Sequence, residues 1–85
     1  MMDMTMINTL KENVKEELND CMKYAELAEV ARDRGIPNEY QMFRDMAKEE
    51  YSHAGHNNHI LKEHGSNTNE YHDMWVKAEK AVYGL

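Results

Sequence analysis

Two runs in which apolar residues step by three and four meet at Gly35-Ile36-Pro37-Asn38, and Pro37 is the chain's single proline, so no proline interrupts either run. That period is helical, and each run reads as one long helix. A connector this short folds the second helix back along the first. Two antiparallel helices bury only the strip between them, so a third helix or a second molecule must cover what is left.

The ends follow from local chemistry. Thr9-Leu10-Lys11-Glu12 has the form of a capping box, and Gly35 can supply a left-handed cap, which predicts helix 1 over 9–34. Its stripe is Ile7, Leu10, Val14, Glu17, Cys21, Tyr24, Ala28 and Ala31, widened by Leu18 and Ala25. Helix 2, over 38–64, opens at Pro37 or Asn38 and closes at Gly65. Its stripe includes Phe43, Met46, Ala47, Glu50, His53, Ala54, Asn57, Ile60 and Leu61. Helix 3, over 68–83, places Tyr71, Met74, Trp75, Ala78 and Val82 on one face, with Trp75 as its packing anchor. Nothing reads as a strand. The expected fold class is all-α, a single domain over 1–85 whose hairpin pairs with a second subunit into a four-helix bundle.

Three residues interrupt the stripes: Glu17 in the first, Glu50 and His53 in the second. An unpaired charge in an apolar seam costs roughly several kcal/mol, so each needs compensation. The i, i+3 spacing puts Glu50 and His53 one turn apart on one face. Glu17 falls halfway along its helix, as they do along theirs, so the three can stand at one level. Two carboxylates and one imidazole are too few to close a metal site. A twofold axis doubles them, giving the donor set of di-iron and di-manganese carboxylate bundles. Four carboxylates and two neutral imidazoles balance two divalent cations, and a donor set rich in oxygen favours iron first and manganese second over a structural zinc. The competing reading is a few buried polar groups that specify how helices pair. Asn57, two turns beyond Glu50, can bond a ligand, a water or an amide across an interface.

Composition removes several other classes. The formal charge is −6, with 16 acidic against 10 basic residues and no basic block, which excludes a nucleic-acid surface and favours cations. No run approaches the roughly 20 apolar residues of a membrane span, and the opening residues have no signal-peptide pattern. Cys21 is the only cysteine and reads as a small buried hydrophobe; with no internal disulfide to form, the expected location is the cytoplasm. Glu12, Glu16, Glu26 and Glu29 read as a solvated face, and His56, His59, His64 and His72 as surface histidines.

Glu17 with Tyr24 seven residues on, and the stretch Ala47-Lys48-Glu49-Glu50-Tyr51-Ser52-His53-Ala54, resemble the two metal helices of the ferritin-like superfamily, rubrerythrins in particular. The likeness covers about residues 10–64. Full-length members carry two such hairpins, so a single one is similar to the half-length proteins, encapsulated ferritins among them, that build the site between subunits. The resemblance implies a homodimer or higher even-numbered oligomer, a di-iron centre held by Glu17, Glu50 and His53, and ferroxidase activity or reduction of peroxide or dioxygen. It also implies that Tyr24 hydrogen-bonds a ligating carboxylate; an ordinary core aromatic is the other reading of that residue. The paired Cys-x-x-Cys of rubrerythrin's electron-delivering site are absent, so a peroxidase role requires an external electron donor. The alternative is an assembly module, part of a larger shell, that keeps the hairpin with a non-catalytic metal or none and docks through helix 3.

Overall fold

The structure, a computed structural model, describes residues 2–85. It is all-α, and no strand occurs among the described residues: α1 runs Met4–Asp33, α2 Pro37–Glu63 and α3 His72–Tyr83, with a 3-10 turn at Asn69–Tyr71 leading into α3. α1 starts at Met4 rather than near Thr9. Asp3, in an extended conformation, accepts the Met6 N–H at 2.9 Å, and nothing between Met4 and Thr9 breaks a helix, so the earlier cap captures the start.

Both long helices end in the same way. After α1, Gly35 adopts φ +68 while its N–H reaches the Arg32 carbonyl and that of Ile36 reaches Ala31. After α2, Gly65 adopts φ +72 while its N–H reaches Lys62 and that of Ser66 reaches Leu61. These are paired Schellman closures, in which a left-handed residue satisfies the last carbonyls, and a side chain at either glycine would be strained. Pro37 takes the first position of α2, where its missing N–H costs nothing. α3 begins later than 68 because Asn67 turns its side chain onto the Asn69 N–H and Tyr71 leaves helical geometry to enter the core.

The buried seam is narrow. In α1 it consists of Val14, Leu18, Cys21, Ala25, Ala28 and Ala31; in α2 of Ala47, Ala54 and Leu61; Tyr71, Ala78 and Val82 close it from the third segment. Half of these twelve residues are alanine, which lets the helices approach closely but removes little apolar area from water. The molecule is a rod of 49 × 19 × 15 Å, with a radius of gyration of 14.3 Å against about 12 Å for a compact domain of this length. No helix among the described residues is long and apolar enough to cross a membrane.

α3 covers one flank of the hairpin. Tyr71 donates its hydroxyl to Asn58 at 2.7 Å, Lys15 stands 3.6 Å from Glu70, and Trp75 packs on Tyr51 with ring centroids 5.6 Å apart. Lys15, Tyr51 and Asn58 all lie on the same side of the seam. Trp75 is therefore engaged within the chain.

Candidate metal-binding flank

The fully buried seam residues are apolar, and the polar intruders stand beside them rather than among them. Leu18 and Ala25 occupy the centre of α1, with Glu17 and Tyr24 beside them, partly buried, on the flank away from α3. In α2 the centre is Ala47, Ala54 and Leu61; Glu50 and Asn57 are partly buried on that same flank, and His53 is 55 % exposed. Among the described residues no charged or polar residue is buried. Within one chain, then, the intruders are edge residues rather than fully desolvated ones.

Two short contacts organise them. Asn57 Nδ2 donates to Glu17 Oε1 at 2.8 Å, linking α2 to α1 across 40 residues of sequence. The amide holds one carboxylate oxygen and leaves the other unengaged by that bond. One turn apart on α2, His53 Nδ1 stands 3.4 Å from Glu50 Oε1. The third neighbour is Cys21, whose thiol is pushed up to about 11 by burial first and by the Glu50 carboxylate second. Glu50 therefore projects its charge onto the residue one turn beyond Glu17. At that value the thiol is protonated at neutral pH and is a poor nucleophile.

Glu17, Glu50 and His53 do not converge in a single chain: among the described residues no three His, Cys, Asp or Glu side chains form a group able to hold an ion. Glu50 and His53 form a two-donor unit, and Glu17 is a separate donor steadied by Asn57. The remaining histidines are exposed; of these His59 pairs locally with Glu63 at 2.9 Å.

Sequence reasoning passed over Asn58, which reads as one more polar residue in an Asn-rich stretch. Its signal is its place across the α2 seam from Glu50, where it meets Tyr71. It also passed over Arg44, whose Nε is shielded and unpartnered among the described residues.

A helical hairpin with a carboxylate on the first helix and a Glu-x-x-His on the second has half the residue pattern of a ferritin-like carboxylate bundle. The rubrerythrin family model matches residues 8–82, and the chain belongs to that family. No curated protein and no solved structure matches it.

Proposed function

We propose that two copies of the chain pair through the flank that α3 leaves bare and hold a di-iron centre between them, with manganese as the second candidate, in a homodimer or a higher even-numbered oligomer. The observation that carries this reading is the position of Glu17 and Glu50. Both are partly buried on the bare flank of a chain that the rubrerythrin family matches along almost its whole length. The elongated, alanine-rich hairpin supports it, because a second copy would bury the face that one chain leaves unfinished.

The donors fit the metal in type. Carboxylate oxygen with imidazole nitrogen suits iron and manganese. Four carboxylates from two chains cancel the charge of two divalent ions, which keeps the site formally neutral once a partner has excluded water. Iron held there supplies the redox couple for oxidising ferrous ions with dioxygen, or for reducing peroxide with electrons from an external donor. The protein's share is placement. Asn57 fixes one oxygen of Glu17, the hairpin sets Glu50 and His53 one turn apart, and the apolar seam beside them limits water. To Tyr24, partly buried and seven residues after Glu17, we assign a hydrogen bond to a ligating carboxylate. We assign the activity to the cytoplasm and to one domain over residues 1–85.

Solution mass and anaerobic ferrous titration of untagged protein test this. The expected result is an even multiple of the 10.0 kDa chain, saturation at one iron per chain, and an iron-dependent near-ultraviolet absorption once air is admitted. A monomer that binds no ferrous iron refutes it. Even-numbered assembly without iron uptake favours the assembly-module reading instead.

A further inference from the structure

On the flank of α2 that faces α3, Arg44, Lys48 and Tyr51 follow one another at steps of four and three. They make one wall of a groove of about 350 Å³ whose other wall is Val82, Tyr83 and Leu85. The aromatic part is braced, since Tyr51 meets Trp75 at 5.6 Å and Tyr83 edge-on at 6.4 Å. Arg44 Nε is shut away from solvent and has no hydrogen-bond partner among the described residues. Neither Arg44 nor Lys48 has a carboxylate within ion-pairing distance among them. A shielded cationic donor without an acceptor is unfavourable.

We infer that this groove binds a small organic monoanion with an apolar body. The anionic head sits between Arg44 and Lys48, where a guanidinium offers forked donors and an ammonium adds charge. The body lies along Tyr51, Val82 and Tyr83. The other end of the groove selects against a second negative charge, because Tyr51, two turns beyond Arg44, donates its hydroxyl to Glu79 at 3.4 Å. The groove has the volume of a ligand pocket, at the small end of the usual range of roughly 300–1,000 Å³. It lies on the flank opposite Glu17 and Glu50, so occupancy depends on neither metal nor subunit pairing.

The test is a titration of the metal-free full chain followed by amide NMR shifts, with octanoate as probe and octanol and inorganic phosphate as controls. Octanoate should shift the amides of Arg44, Lys48 and Tyr83 saturably, and octanol should bind roughly tenfold more weakly, the value of one good charged contact. Arg44→Gln should cause a similar loss. Lys48 is exposed, so Lys48→Gln leaves the fold intact and should weaken octanoate several-fold. Equal affinity for octanol and octanoate, the same shifts with phosphate alone, or a titration unchanged in both variants would overturn the inference.

Discussion

The two flanks of the hairpin carry polar residues in similar numbers but treat them differently. On the flank under α3, Asn58 receives the Tyr71 hydroxyl, Lys15 faces Glu70 and Tyr51 reaches Glu79, so these three groups have partners from the third segment, while Arg44 Nε has none among the described residues. On the bare flank Glu17 has one long-range bond, to Asn57, and among the described residues Glu50 has only its neighbour His53 one turn away. Where Tyr71 and Trp75 dock, the covered flank is finished within one chain. The bare flank is made of ligand types, held by one bond between the helices and one contact within α2.

Breaking the bare flank should give the largest effect. Glu17→Ala is expected to lower ferrous uptake from one iron per chain to none and to abolish oxidation. The metal-free protein, by contrast, should keep its helicity and gain stability, if it changes at all, because a carboxylate beside other carboxylates has gone. Iron titration with circular dichroism on the same sample checks both halves. Unaltered iron binding by Glu17→Ala removes the functional reading of this flank.

Breaking the seam common to both flanks comes next. Leu61 is fully buried and is, with Leu18, Val14 and Cys21, among the largest side chains that are. Leu61→Ala should cost about 2–5 kcal/mol in urea denaturation. That is a large part of the total for so small a domain. The midpoint must be followed at several protein concentrations, because coupling to assembly makes it concentration-dependent.

The sequence made one side of this comparison easier to read than the other. The helices, the antiparallel turn and the glycine stops were legible because they are local: period, proline and left-handed caps act within a few residues. The polar intruders were legible as a set, but their depth was not. A three-and-four spacing defines an arc of the helix without saying which residue stands at its centre, and here packing chose Leu18 and Ala25 over Glu17 and Tyr24. The start of α1 differs because Thr9-Leu10-Lys11-Glu12 carries the pattern of a cap while Asp3, six residues before Thr9, accepts the free Met6 N–H first. The bond between Asn57 and Glu17 depends on the register of two helices, which no single stripe encodes.

A change of pH should separate the covered flank from the bare one. Burial, and then the Glu70 carboxylate, push the Tyr71 hydroxyl from its ordinary 10.0 up to about 12. Below pH 10 both folded and unfolded chains hold this proton. Between about 10 and about 12 the unfolded chain gives it up first, so the contribution of Tyr71 is complete below the first value and lost by the second. Two decades of proton affinity at about 1.4 kcal/mol each put the loss at roughly 2–3 kcal/mol. Cys21, raised from 9.0 to about 11, adds a loss of the same sign beginning one pH unit lower. Urea midpoints measured from pH 9 to 12 should therefore fall less steeply in Tyr71→Phe. At neutral pH that variant should lose only about 0.5–1.5 kcal/mol, the worth of its bond to Asn58. An identical alkaline slope in the variant would mean that Tyr71 does not govern the docking of α3.

The smallest effect sharpens the same point. Glu70 faces Lys15 at 3.6 Å with both side chains well exposed, and a pair of that kind contributes about 0–1 kcal/mol. Glu70→Gln should scarcely move the neutral-pH midpoint. Yet Glu70 is also the second cause of the raised Tyr71 hydroxyl, after burial. Removing its charge should bring the alkaline transition to lower pH while leaving burial to hold most of it in place. Comparison of Glu70→Gln with Tyr71→Phe over the same pH range thus apportions the covered flank between packing and charge. A transition that drops all the way to an ordinary tyrosine value in Glu70→Gln would make the surface carboxylate, rather than the docking of α3, the controlling element.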